Sequence, residues 1–257
     1  MTTPAPDDGV RAWLQWLRVE RRQAHGLWCS LPSSYCTELV ASCAPDFVVI
    51  DRQHGFFDSR DLLAALQSIG PYQVPALIRV PDRGERSIGA ALDAGAGGVI
   101  VPMIEDSVGA LAAVRSCRYP PQGHRSYGPG RSALVVAGTP DRVNAAVACV
   151  ALIETAAGVE HAGQICAVPG LDAVMVGAAD LALDLGVEIG SRAAALQDAV
   201  AAVAAAAADA ALPLMIGAPD NRPELGATVV VAATDASVLR VGVRAALERA
   251  RGDNASR

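Results

Sequence analysis

Hydrophobic residues along the chain follow two alternating patterns. Short runs that are apolar without interruption, such as FVVI at 47–50 and AVMV at 173–176, precede glycine, aspartate or proline, and segments with apolar residues at helical spacing come next. Uninterrupted apolar runs are typical of strands buried on both faces of a parallel sheet. The pattern predicts eight strands, at residues 26–31, 47–51, 76–80, 98–103, 150–154, 173–177, 214–217 and 229–232.

Helical spacing falls between most of these strands. It predicts helices at residues 59–69, 87–94, 107–117, 158–167 and 192–211. Alternating strands and helices predict the α/β class, and eight such units in 257 residues have the size of a TIM (β/α)8 barrel. No shift in composition divides the chain, so we expect a single domain over residues 1–257.

Four segments lie outside the strand and helix alternation. An amphipathic stretch predicts an N-terminal helix at about residues 8–24, packed across the barrel bottom or against another subunit. Proline and glycine in residues 119–139 predict a long loop over one mouth of the barrel. Residues 237–251 are apolar on one helical face, and the polar residues 252–257 predict a disordered tail.

Charge and composition exclude several classes of function. All 21 basic residues are arginine, so mechanisms that need a lysine amine, such as Schiff-base aldol chemistry, are excluded. The net charge of −6 gives no drive toward nucleic acid or an anionic membrane. The first residues lack the basic and apolar regions of a signal peptide, and the alanine-rich run at 193–211 is too weakly apolar to span a bilayer. We therefore expect a cytoplasmic protein.

Polar residues that end the predicted strands are the candidates for chemistry, because catalytic groups of TIM barrels lie at the carboxyl ends of the strands. They are Asp51 with His54 shortly after it, Arg79, Glu154 and Asp180. Asp51 and His54 are three residues apart and could form an oriented general base.

Two of these acids suggest a metal site. Glu154 and Asp180 offer hard oxygen ligands at neighbouring strand ends, which suits Mg²⁺ or Mn²⁺ with positions left for water and substrate. Each acid taken alone could instead serve an ion pair or a helix N-cap. Arg79 would bring a permanent cation to the same mouth, suited to a carboxylate or an enolate oxygen, or it could pair with one of the acids.

Six motifs together resemble one family. They are IDRQHG at 50–55, RVP at 79–81, VPM at 101–103, RYPPQGHRS at 118–126, IET at 153–155 and GAADLA at 177–182. In this order they are similar to the HpcH/HpaI aldolases, metal-dependent class II enzymes of the phosphoenolpyruvate/pyruvate barrel group, from about residue 24 to residue 250. This family uses no lysine, in agreement with the composition.

The resemblance implies roles for the strand-end residues. Glu154 and Asp180 would hold a divalent metal, Mg²⁺, Mn²⁺ or Co²⁺, which pyruvate chelates through its carboxylate and keto oxygens. The metal and Arg79 would stabilise the pyruvate enolate, and His54, oriented by Asp51, would move the proton.

The resemblance also implies substrate contacts, a reaction and an assembly. Backbone amides of the turn formed by Gly177, Ala178, Ala179 and Asp180 would help to hold the pyruvate carboxylate. The enzyme would be a carbon–carbon lyase that cleaves a 4-hydroxy-2-oxo acid to pyruvate and an aldehyde, and that catalyses aldol addition in reverse. The barrels would form homo-oligomers, trimers or hexamers, with exchanged C-terminal helices.

Three positions depart from the family pattern. Gln53 stands where glutamate usually precedes the histidine, Leu152 stands where glutamine is frequent two residues before the metal-binding glutamate, and Ala178 replaces a usual proline. The first two are positions where the substrate would be contacted. These changes leave two alternatives open: oxaloacetate decarboxylation or condensation of the enolate with an unusual acceptor, and a barrel subunit without catalysis.

Overall fold

The computed structural model describes residues 8–128, 130–136 and 138–255, and the side chains as far as residue 251. Eight parallel strands form a closed barrel in which each strand pairs with the next and β8 pairs with β1. The predicted TIM barrel is therefore confirmed. The strands are β1 Ala24–Cys29, β2 Phe47–Asp51, β3 Ala76–Arg79, β4 Gly98–Val101, β5 Ala148–Ile153, β6 Ala173–Val176, β7 Leu214–Gly217 and β8 Val229–Thr234.

Helices cover the outside of the barrel. They are α1 Gly9–Val19, α2 Ser34–Ser42, α3 Ser59–Ile69, α4 Glu85–Asp93, α5 Ser107–Cys117, α6 Ser132–Val135, α7 Pro140–Ala146, α8 Ala156–Glu160, α9 Ala162–Cys166, α10 Ala178–Asp184, α11 Ala194–Asp209 and α12 Asp235–Ala255. Short 3₁₀ helices occupy Gly70–Tyr72, Ala218–Asp220 and Pro223–Leu225. No helix among the described residues has both the length and the apolar character needed to cross a membrane.

Side chains alternate between the two sides of the barrel wall, as the two-residue period of a strand requires. Leu77, Ile100 and Val150 belong to a cluster inside the barrel, whereas Val48, Ile78 and Val99 belong to the layer between the strands and the helices. This alternation also directs strand-end residues inward. Asp51 and Arg79 lie opposite each other in the β2–β3 register, at the carboxyl end of the barrel.

The N-terminal helix α1 packs at the opposite end of the barrel, which is one of the two predicted locations. Trp13 lies against Phe47, the first residue of β2, with 6.0 Å between the ring centroids. Asp172, just before β6, is buried between two arginines: Arg11 of α1 and Arg118 after α5 each place a guanidinium nitrogen 2.7 Å from one of its oxygens. The helix ends at Val19 and is shorter than predicted, because the chain turns there toward β1.

The proline- and glycine-rich segment lies at this same end, and not over the mouth that carries the strand-end acids. It follows α5 and leads into β5, so its ends are at the amino-terminal side of the sheet. Arg125 pairs with Asp93 at 2.6 Å, and Arg131 donates to the carbonyls of Ala94 and Leu66 at 3.2 Å. The segment also contains the short helix α6. Residues 129 and 137 lie outside the described residues.

Two other predictions need correction. The single helix predicted at 158–167 is two short helices, α8 and α9, which meet at His161. The tail predicted to be disordered from residue 252 continues α12 as far as Ala255, because Gly252 weakens a helix by only about 1 kcal/mol and no proline follows. Residues 256–257 lie outside the described residues. The exchange of α12 between subunits stays a prediction.

Candidate active site

Asp51 and Arg79 form a two-point ion pair at the mouth of the barrel. Arg79 Nε donates to Asp51 Oδ1 at 2.9 Å, and Nη2 donates to Oδ2 at 2.6 Å. The guanidinium carbon also lies 4.9 Å from the ring centroid of Trp28, which reaches the mouth from β1. A guanidinium carries five N–H bonds, so three remain available to a ligand, two on Nη1 and one on Nη2.

The electrostatics of Asp51 favour its charged form. Burial raises the pKa of this carboxyl, but the hydrogen bonds and charge of Arg79, together with hydrogen bonds from the Trp28 side chain and the Gln53 backbone, outweigh burial and bring the pKa below its usual value. Asp51 is therefore a carboxylate that fixes the orientation of Arg79.

The expected contact between Asp51 and the His54 imidazole is not formed. Asp51 Oδ1 instead accepts the backbone N–H of Gln53 at 3.0 Å and of His54 at 3.3 Å. The guanidinium and these amides already use the acceptor positions of the carboxylate, so the imidazole cannot donate to it. His54 itself is exposed, and within the described chain its ring makes no hydrogen bond. Asp51 thus shapes the turn that carries His54, while Gln53 Oε1 is buried without a partner.

Glu154 follows β5 and is only 2% exposed. Its Oε1 accepts the backbone N–H of Met103 at 2.9 Å. Gly177, on the neighbouring strand end, leaves room for Oε2, since a Cβ at that position would lie 2.7 Å from this oxygen. The glycine is required here because a second residue approaches its backbone closely.

Asp180 lies in the first turn of α10, close enough to Glu154 for the two side chains to share a hydrogen bond. Burial and the charge of Asp180 raise the pKa of Glu154 to about 7, although the Met103 N–H and the Arg79 charge lower it. Two acids held this close repel each other when both are ionised, and a bound cation would relieve that repulsion.

The acid pair fits a magnesium-type ion. Within the described residues no group of three His, Cys, Asp or Glu side chains could hold a metal, so a divalent ion bound by Glu154 and Asp180 would have two protein ligands. One or two carboxylates with several waters or substrate oxygens are the usual surroundings of Mg²⁺. The predicted pair of metal ligands is therefore brought together, and its donor chemistry agrees with the predicted metals.

The predicted substrate contacts divide into two groups. Gly177 donates its N–H to the carbonyl of Ile153 at 3.0 Å, so it has no amide hydrogen to offer a carboxylate. Ala178, Ala179 and Asp180 begin α10, where the first N–H groups have no partner within the helix.

Leu152 is 1% exposed and lies inside the barrel. It is the other departure from the family pattern that was predicted to contact substrate. It packs beneath Glu154 as an apolar floor, since side chains two residues apart on a strand point to the same face.

Two residues with roles at this site were not predicted from the sequence. Trp28 stacks on Arg79, and Met103 binds Glu154 through its backbone. The inward period of β1 could have indicated Trp28, which lies two residues after the inward-facing Gly26. Nothing in the side chain of Met103 signals a backbone contact.

Comparison with known proteins identifies the family of this chain. The model of the HpcH/HpaI aldolase/citrate lyase family matches residues 24–232. A hydroxypyruvate/pyruvate aldolase of Deinococcus radiodurans is 37% identical over 168 residues, which are 63% of this chain and 60% of that protein. A 4-hydroxy-2-oxo-heptane-1,7-dioate aldolase of Salmonella arizonae is 33% identical over 236 residues, 87% of this chain and 89% of that protein.

Similarity in structure extends over nearly the whole chain. The crystal structure of an HpcH/HpaI aldolase/citrate lyase family protein from Burkholderia cenocepacia J2315 has a TM-score of 0.87 and 33% identity, and covers 94% of this chain and 100% of that one. The alignments with four curated relatives span between 60% and 66% of the length of those proteins. The family model nevertheless matches well over half of this chain, which therefore belongs to the HpcH/HpaI aldolase/citrate lyase family.

Proposed function

We propose that this protein is a metal-dependent carbon–carbon lyase that cleaves a 4-hydroxy-2-oxo acid to pyruvate and an aldehyde, and catalyses the reverse aldol addition. The observation that carries the proposal is the meeting of the acid pair Glu154 and Asp180 with the Asp51-held cation of Arg79 at one mouth of the barrel. A divalent ion held by these two acids would act as a Lewis acid that polarises the keto group of the substrate.

The residues of the chain itself would bind the 2-oxo acid and stabilise developing charge. Arg79 keeps three free N–H bonds, and Asp51 and Trp28 hold its guanidinium in one orientation, so these donors need little reorganisation when an enolate oxygen forms. The amides of Ala178, Ala179 and Asp180 would hold the carboxylate of the 2-oxo acid.

His54 is the proposed base. Its imidazole is exposed at the mouth and can exchange a proton with the 4-hydroxyl of the substrate or with an intervening water. Asp51 would contribute indirectly, through the turn at Gln53 and His54. Leu152 would exclude water from beneath the acid pair, because it fills the barrel interior there.

A coupled lactate dehydrogenase assay tests the proposal. The chelator-treated protein would be supplied with a panel of 4-hydroxy-2-oxo acids, with and without Mg²⁺, Mn²⁺ or Co²⁺. Pyruvate should form only with metal, and Glu154→Gln and Asp180→Asn should abolish it, whereas Asp198→Asn on the exposed face of α11 should have no effect. Full activity of the chelator-treated protein would contradict the proposal.

The same residues could serve an oxaloacetate decarboxylase, since Arg79 and the acid pair act on the enolate and not on the aldehyde. Gln53 stands where the family usually has glutamate, and its Oε1 is buried without a partner. This departure from the family pattern is the feature that favours the second activity. Mass spectrometry of products from oxaloacetate, with and without candidate acceptors, separates the two. Release of pyruvate from oxaloacetate and from none of the hydroxy-oxo acids would favour decarboxylation.

A further inference from the structure

Met103 has a left-handed backbone conformation although it does not follow a helix. Its φ is +56°, in the left-handed region that residues with a Cβ avoid. Among the described residues, Arg21, Ala44, Gln73 and Ala211 share this feature, and each follows the last turn of a helix. A left-handed residue is the ordinary end of a helix, but Met103 follows strand β4.

This conformation directs two successive N–H groups toward β5. In an extended chain, successive N–H groups point to opposite sides. Here the N–H of Met103 reaches Glu154 Oε1 at 2.9 Å, and the N–H of the buried Ile104 reaches the Leu152 carbonyl at 3.1 Å. The left-handed turn therefore allows β4 to hold both the backbone of β5 and the carboxylate that follows it.

A charged side chain holds the other side of Met103. Its carbonyl accepts a hydrogen bond from Nη1 of Arg83 at 3.2 Å. Arg83 lies in the turn between β3 and α4, which Asp82 braces by accepting the N–H of Gly84 at 2.7 Å and the hydroxyl of Ser87 at 3.0 Å. Arg83 thus reaches Met103 from a fixed turn and does not touch the acid pair.

The second oxygen of Glu154, Oε2, lies against Gly177. A Cβ at Gly177 would lie 2.7 Å from Oε2, so this oxygen is directed at the β6 strand end from which α10 and Asp180 begin. Oε1 is already occupied by the Met103 N–H. The two oxygens consequently have different tasks.

We propose that Arg83 and Met103 are positioning residues for Glu154: Arg83 holds the Met103 carbonyl, and the Met103 N–H fixes Oε1 so that Oε2 is left for a divalent cation. This inference rests on the proposed function, because that function places the cation at Glu154. The side chain of Met103 takes no part in the positioning, so the backbone at this position is what matters.

A role of Arg83 as a nearby charge and a role as a positioning residue predict opposite effects on cation binding when Arg83 is replaced. If Arg83 acted only as a cation near the metal, removing its charge would strengthen cation binding. If it positions Glu154, loss of its hydrogen bond weakens binding. Lysine keeps both the charge and a hydrogen-bond donor on a side chain only one atom shorter than that of arginine, whereas methionine keeps neither, so a pure charge effect and a positioning effect predict opposite orders of affinity for these two variants.

Mn²⁺ affinity of the metal-stripped protein, measured from the electron paramagnetic resonance signal of free Mn²⁺, is therefore compared between Arg83→Lys and Arg83→Met. We expect the methionine variant to bind Mn²⁺ about threefold to tenfold more weakly than the lysine variant, the range set by the loss of one hydrogen bond. Arg86→Met, at a neighbouring exposed arginine, should bind Mn²⁺ as the unmodified protein does.

Equal Mn²⁺ affinity in the two Arg83 variants would overturn the positioning role while leaving the metal site intact. Failure of the unmodified protein to bind Mn²⁺ would overturn the proposed function and the positioning role with it. A second variant tests the backbone directly: Met103→Gly keeps the N–H and adopts a positive φ without strain, so its Mn²⁺ affinity should stay within about twofold of the unmodified protein. A tenfold loss in this variant would show that the side chain is required and would contradict the inference.

Discussion

A methyl group at position 177 would collide with the carboxylate on which the proposed site depends. In Gly177→Ala the new Cβ would lie 2.7 Å from both Cβ and Oε2 of Glu154, and 3.2 Å from Cδ1 of Leu152. Ordinary carbon contacts begin at about 3.5 Å, so Glu154 must move by roughly 0.8 Å. Glu154 is 2% exposed and its Oε1 is held by Met103, so moving this side chain breaks a buried hydrogen bond.

The energetic size of this collision follows from overpacking in cores, which costs about 1–3 kcal/mol. For a domain of this size each kcal/mol lowers the melting temperature by about 2–4 °C, so we expect a decrease of roughly 2–12 °C. A metal ligand displaced by nearly 1 Å should also weaken Mn²⁺ binding by about tenfold to a hundredfold.

Thermal unfolding and Mn²⁺ titration of Gly177→Ala measure both effects. Gly89→Ala is the matched control, because a Cβ there meets no atom within 4 Å and alanine favours the helix α4. The control should be as stable as the unmodified protein or slightly more stable, with unchanged Mn²⁺ affinity. Wild-type stability and Mn²⁺ affinity in Gly177→Ala would refute the placement of Glu154 against the β6 strand end.

Three further outcomes are expected. Because the pKa of Glu154 is about 7 without metal, Mn²⁺ must displace a proton from this carboxyl at lower pH. Mn²⁺ titrations at a series of pH values should therefore show an affinity that falls about tenfold per pH unit below pH 7 and is constant above pH 8. An affinity that does not change from pH 5 to 8 would contradict this. Asp51→Asn removes the partner of the buried Arg79, so urea unfolding at pH 7 should show a loss of about 3 kcal/mol. The pKa of Asp51 is lowered in the folded protein, so the stabilisation that this carboxylate gives is present at neutral pH and is lost as the pH falls below the usual value of 3.8. A difference in unfolding free energy between Asp51→Asn and the unmodified protein that is as large at pH 2 as at pH 7 would contradict this. Val241→Glu on α12, where Val241 is 64% exposed, should shift the protein toward monomers in light scattering if this helix is exchanged, and an unchanged mass would argue against exchange.

The sequence predicts the barrel and the acid pair well for a physical reason. Apolar runs that end abruptly in Asp51, Arg79 and Glu154 mark the carboxyl ends of buried strands, and a parallel barrel gathers those ends at one mouth. Pairing between the gathered residues depends on strand register, which the pattern does not specify. Asp51 was expected to orient His54, yet the β2–β3 register places it opposite Arg79.

Backbone contacts were harder to predict than side-chain chemistry. Met103 acts through its N–H, which every residue except proline carries, so its identity gives no signal. The proline-rich segment was expected over one mouth of the barrel because of its length, and its place between a helix and the next strand determines which mouth, the one opposite the strand-end acids. The order of elements was therefore a better guide than loop length.

The buried Asp172 has a consequence for how the chain is made. It joins Arg11 of helix α1 to Arg118 and to the backbone N–H of Cys149 in β5. While the chain grows on the ribosome, the first helix is synthesised long before this acceptor leaves the exit tunnel. The ion pair between Arg11 and Asp172 can therefore form only after the segment that separates them has been synthesised, which places this closing contact of the barrel floor after strands β1 to β5 have been made.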